Sequence, residues 1–99
     1  MSRVTLINPF EVREGLEGDA LAYWDKAAAH LRAQPGYRWT RLHRSITPGA
    51  RFLYVNIAEW ESAAHFGAAV GSDAFTRLTG LDAERFPHYP ALYEIIRSE

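Results

Sequence analysis

The chain has 99 residues, with 11 Lys and Arg against 12 Asp and Glu, a net charge of −1, and 47% hydrophobic side chains. That length and composition make one domain (1–99) able to bury a core but only a modest share of its surface, and the balanced charge excludes a nucleic-acid backbone or an anionic membrane as the natural partner. The chain has no Cys, which excludes disulfides, thiol nucleophiles, zinc–thiolate sites and iron–sulfur clusters.

No apolar run approaches membrane length and the N-terminus lacks the apolar region of a signal peptide, so a soluble, cytoplasmic protein is expected. Three Trp, five Tyr and five Phe are many for this size. Part of that aromatic surface is expected to line a pocket or a subunit contact.

Arg3 to Val12 reads as the first strand. Val4, Leu6, Asn8, Phe10 and Val12 share one face, and Pro9 suggests an edge or a bulge. A turn follows, with Gly15 and Gly18, and Asp19 is placed to cap a helix running to about Ala33. Leu21, Trp24, Ala28 and Leu31 recur at helical spacing and make its apolar stripe. Gln34-Pro35-Gly36 ends it.

Tyr37 to Ile46 is the second strand, with Trp39, Arg41 and His43 on one face and Arg38, Thr40, Leu42 and Arg44 on the other. Thr47-Pro48-Gly49-Ala50 turns it into a third strand, Arg51 to Trp60. There Phe52, Tyr54, Asn56, Ala58 and Trp60 alternate with Arg51, Leu53, Val55, Ile57 and Glu59. Neither set is polar throughout, so both faces should be covered. Ser62 caps the next helix, which buries Phe66, Ala69 and Val70. Ser72 or Asp73 caps a short piece with Phe75 and Leu78. Thr79 to Pro90 is an irregular connection, and Ala91 to Arg97 is the fourth strand.

This β-α-β-β-α-β order predicts an α+β, ferredoxin-like fold: a four-stranded antiparallel sheet with helices on one face. Ile7, Val55 and Ile57 leave the other face apolar, so a homodimer packed sheet to sheet, a dimeric α+β barrel, is expected.

Asn8 and Asn56 each interrupt an apolar strand face, and Trp60 shares the face of Asn56. A buried amide or indole N–H needs a hydrogen-bond partner. Taken singly, each reads as a satisfied core residue. Taken together, with Trp24, Phe66 and Phe75 opposite, they read equally as an apolar small-molecule pocket. His30, His43, His65 and His88 show no metal-ligand spacing, and His43 is the candidate where a base is needed. No Gly-rich phosphate cradle is present, which disfavours bound NAD or ATP.

VTLINPFEV, LRAQPGYRWTRLHR and above all RFLYVNIAEWES resemble the antibiotic biosynthesis monooxygenase family over nearly the whole chain. The nearest likeness is to the cofactor-independent oxygenases of aromatic polyketide pathways, which oxidise anthrones or related phenols with molecular oxygen. The resemblance implies catalytic roles for Asn8, Asn56 and Trp60, a small aromatic substrate, no metal, haem or flavin, and a homodimer; Trp24, Tyr54, Phe66, Phe75 and His43 are the residues expected to bind that substrate. Phe66 stands where some relatives have Tyr. The haem-degrading relatives' histidine and tryptophan would fall near Thr79 and Ala69, so the likeness implies no haem. A non-oxidative isomerase or cyclase on this scaffold, or a non-enzymatic binding dimer, are the alternatives.

Overall fold

Seven consecutive residues, Tyr54–Trp60, form the central strand β3, and their burial alternates strictly between buried and half-buried. The computed structural model describes residues 2–99. Tyr54, Asn56, Ala58 and Trp60 point beneath the helices, and Val55, Ile57 and Glu59 point to the opposite face. This is the period-two pattern of a strand with one well-covered side.

Strand β1 (Val4–Phe10) pairs antiparallel with β3, and β2 (Tyr37–Arg44) pairs with the other edge of β3. Strand β4 (Ala91–Tyr93) closes the outer edge of β1. The order β2-β3-β1-β4, with helices α1 (Glu17–Arg32), α2 (Ala63–Val70), α3 (Asp73–Thr79) and α4 (Asp82–Arg85) in the connections, is the expected ferredoxin-like arrangement.

Several boundaries differ from the sequence reading. Helix α1 begins two residues before Asp19, with Leu16 at its cap position and no side-chain cap. Glu17 instead reaches back to the Gly15 N–H at 2.8 Å, and both acids favour the positive end of the helix. The buried stripe of α1 is Ala20, Tyr23, Ala27 and Ala28, while Leu21 is 37% exposed. The reason is Tyr23, which packs on Phe86 with ring centroids 5.7 Å apart; a residue from the far connection sets the helix rotation. β4 stops at Tyr93 instead of Arg97. Its register places Tyr93 across from Thr5, so β1 runs out and the following residues have no strand to pair with. Ile95 and Ile96 are left 71% and 74% exposed. Ser62 and Ser72 do cap α2 and α3, accepting from His65 N–H and Phe75 N–H.

The joint between α1 and β2 is sterically fixed. Gly36 has φ +89°, and a Cβ there would collide with the His65 side chain. Only glycine satisfies both the backbone and the space. Its carbonyl accepts from Glu61 N–H at 2.8 Å, which ties the end of β3 to the start of β2.

The core is in two pieces. One gathers Phe10, Ala20, Tyr23, Tyr54 and Phe86; the other gathers Leu6, Ala58, Trp60 and Ala69. Each of β1 and β3 contributes to both, and the residues between, Asn8 and Asn56, belong to neither.

Candidate active site

Asn8 and Asn56 are direct partners in the β1–β3 register, so their side chains stand side by side on the helix-covered face. They border a cavity of about 210 Å³ that fills the gap between the two halves of the core. Its floor is the sheet: Leu6, Asn8 and Phe10 from β1, Thr40 from β2, and Asn56, Ala58 and Trp60 from β3. Its roof is α1, through Tyr23, Trp24, Ala27, Ala28 and Leu31, with Phe66, Val70 and Phe75 from α2 and α3 closing one side. His88 and Pro90 close the edge beyond β1.

The two amides differ in their partners. Asn56 Oδ1 accepts from the Thr40 hydroxyl at 2.7 Å. That fixes the amide's rotation and leaves its NH₂ group as the donor. Asn8 Oδ1 is buried and has no protein partner. A buried, unpaired acceptor costs about 1–3 kcal/mol, which a bound donor would offset. Trp60, 1% exposed, is wedged edge-on between Tyr37 at 5.7 Å and Phe66 at 5.6 Å. Its indole is therefore held in one orientation. Burial pushes the Tyr23 hydroxyl up, and the nearby Asp82 carboxylate adds to the shift. This phenol keeps its proton at neutral pH.

Of the residues marked out in the sequence, Asn8, Asn56, Trp60, Trp24, Phe66 and Phe75 line this one cavity. Two are not brought to it. Tyr54 lies in the Phe86 half of the core and borders a separate recess of about 10 Å³. His43 is exposed on the opposite face of the sheet, its Nδ1 3.3 Å from the Val55 carbonyl, because it shares strand parity with Trp39 and Arg41. Thr40 and His88, with the phenols Tyr23 and Tyr37, are the lining residues with polar side chains that the sequence did not assign to the site. Thr40 had a signal, since it alternates in phase with the half-buried Leu42. His88 had none, lying in an aperiodic connection between two prolines. Among the described residues no group of three or more His, Cys, Asp or Glu is set to hold a metal ion, and no helix is long and apolar enough to cross a membrane.

Comparison with known proteins places relatives beside this geometry. A family profile described as antibiotic biosynthesis monooxygenase matches residues 3–79. A protein of Shewanella loihica PV-4, provisionally described as a monooxygenase, superposes with a TM-score of 0.85 at 37% identity, covering 98% of this chain and 97% of that one. SnoaB of Streptomyces nogalater, described as a cofactor-independent oxygenase, superposes with a TM-score of 0.84 at 23% identity, covering 99% of this chain and 97% of its own. A Bordetella bronchiseptica protein named for the same family gives 0.78 at 24% identity, covering 98% and 100%. The last two likenesses, under a quarter identical, speak to shared fold alone. No curated protein matches the chain.

Proposed function

The chain belongs to the antibiotic biosynthesis monooxygenase family, and we propose that it is a cofactor-independent monooxygenase acting on a small aromatic substrate of anthrone or phenol type. The observation that carries this reading is the Asn8–Asn56 pair at the floor of an otherwise apolar cavity, one amide oriented by Thr40 and the other left with a free acceptor.

The chemistry asks little of the protein. An activated methylene loses a proton, and the carbanion it leaves reacts with O₂. The resulting hydroperoxide releases water to give a carbonyl. One oxygen atom stays in the product and the other leaves as water with the two methylene hydrogens, so no external reductant is needed. The site's task is to exclude water, align the ring and stabilise the anion. Asn8 Oδ1 accepts from a ring hydroxyl. The Asn56 NH₂ and the Trp60 indole N–H donate to the oxygen on which negative charge develops. Tyr23 adds a protonated phenol to the roof. An engineered apolar cavity of about 150 Å³ holds benzene; at about 210 Å³ this one encloses the reacting ring, with the rest of a larger substrate reaching toward the mouth.

The same reading includes a homodimer. On the face opposite the cavity, Ile7, Val55 and Ile57 are only half-buried and Tyr93 is exposed, and beyond β4 Ile95 and Ile96 are exposed as well. A second copy would cover them; sedimentation equilibrium measures the mass directly.

The test is oxygen uptake by chelator-treated protein with dithranol, a simple anthrone, beside Asn8→Ala and Trp60→Phe. Uptake above the spontaneous rate that survives chelation and falls at least tenfold in each variant supports the reading. Uptake equal to background, or unchanged in both variants, overturns it.

A further inference from the structure

His88 is the one imidazole among the residues lining the cavity, and several contacts fix its place. Phe86, two residues before it, is 0% exposed and anchors the connection in the core. Pro87 O accepts from Glu11 N–H at 2.8 Å, and Tyr89 N–H donates to Pro9 O at 3.1 Å. These bonds flank a bridge between Phe10 and His88, so the two face the same side of the sheet, and their rings stack at 5.2 Å and 25°. The bridge continues the register of β4 on β1, which pairs Ile7 with Ala91. Pro90 therefore stands across from Asn8, and His88 is its diagonal neighbour on the same wall.

The ring's protonation pattern is also set. Nδ1 lies 2.8 Å from the Phe86 carbonyl. A carbonyl only accepts, so Nδ1 carries the hydrogen. In the neutral ring Nε2 then keeps its lone pair, and no described protein group bonds it. The other titratable groups lining the cavity are Tyr23 and Tyr37; Tyr23 is held protonated by burial. Glu11 and Arg51, on the neighbouring elements, bond each other at 2.6 Å at the surface.

We infer that His88 Nε2 is the proton acceptor of this site, taking the proton from an acidic C–H or phenol O–H of the bound aromatic. The C–H or O–H bond breaks, its electron pair stays on the substrate as an enolate-type anion, and the new N–H bond leaves an imidazolium stabilised through Nδ1–H by the Phe86 carbonyl. The Asn8 and Asn56 amides position the ring whose proton His88 takes. This inference rests on the cavity being a substrate site, but the proton transfer needs no oxygen.

Two measurements test it. Side-chain ¹⁵N NMR of the wild-type protein should show neutral His88 protonated at Nδ1; protonation at Nε2 overturns the inference with no ligand involved. Anaerobic hydrogen–deuterium exchange at the methylene of dithranol should be accelerated by wild-type protein, slowed about 100-fold in His88→Gln, and regained in His88→Ala when imidazole is added. No acceleration by the wild type, or exchange in His88→Gln at the wild-type rate, also overturns it. Exchange that depends on His88 without oxygen uptake would leave the proton acceptor in place and remove the oxygenase reading. Oxygen uptake indifferent to His88 would do the reverse.

Discussion

The two halves of the core are closed by different parts of the chain. Around Trp60, closure comes from α2, which follows β3 directly: Phe66 meets the indole edge-on and Ala69 fills the space beside it. Around Tyr54, closure comes from the far end of the chain, where Phe86 inserts between Tyr23 and the sheet. Local sequence builds the first half, and a distant aperiodic segment builds the second. The cavity lies along the seam where they do not meet, and the two asparagines stand there because packing would otherwise close it. Polar residues at a seam cost stability and keep a space open.

The strongest way to break this contrast is to remove the distant plug. Phe86→Ala should cost about 3–5 kcal/mol, a large part of a small domain's stability, read from urea unfolding. The gentler pair Phe86→Leu and Leu6→Val, one in each half, should add within about 0.5 kcal/mol when combined, because separated sites without shared partners do not couple. Coupling well beyond that would show one continuous core and no seam.

A smaller change sharpens the contrast between the two amides. Asn8→Leu removes an acceptor that is buried and unpaired, so it should stabilise the protein by about 1–2 kcal/mol, a rise in Tm on the order of 5–10 °C for a domain of this size. Asn56→Leu removes the partner of the Thr40 hydroxyl and should be neutral or destabilising. Both should lose turnover. A protein made more stable and inactive by one substitution marks a residue kept for function. If Asn8→Leu instead lowers Tm, Asn8 is an ordinary core residue whose partner is a bound water.

What the sequence disclosed follows the same division. Strand alternation in β3 was legible because one face is buried throughout, and Asn56 and Trp60 stood out against it. Ser62 and Ser72 were legible because capping is a local interaction. The rotation of α1 was not, since Tyr23 turns inward to meet Phe86, a contact between residues far apart in the chain. Assigning His43 to the pocket followed from its residue type, whereas strand parity sends it to the other face. His88 was hidden for the reason that makes it interesting: its position is set by long-range attachments to Pro9, Phe10 and Glu11, at and just beyond the end of β1, while it lies in no regular element of its own.

The smallest effect concerns the ion pairs that clamp each end of the sheet. At the Trp60 end, Arg38 bonds Glu61 at 2.7 Å and Glu59 at 2.8 Å. At the other end, Arg51 bonds Glu11 at 2.6 Å, and Tyr89 donates to the same carboxylate at 3.2 Å. The Arg51 hydrogen bond, helped by Tyr89, lowers the Glu11 carboxyl below its ordinary 4.5. A carboxyl lowered by folding stabilises the protein above its unfolded value and loses that contribution as the pH falls through the lower, folded one. The difference in Tm between the wild type and Arg51→Gln should therefore be small at pH 7, because exposed pairs are screened, and vanish as the pH falls below the ordinary Glu value and through the lower, folded one. Arg38→Gln should behave alike, since Arg38 lowers Glu61 in the same way. The two should part in activity. The Glu11 clamp holds Tyr89, the neighbour of His88, whereas the Glu61 clamp touches nothing in the connection. Faster amide exchange at Tyr89 and a lower kcat in Arg51→Gln, with neither change in Arg38→Gln, would tie the surface pair to the placement of the imidazole. Equal kcat in the two variants would show that Phe86 and the backbone bonds to β1 hold His88 without it.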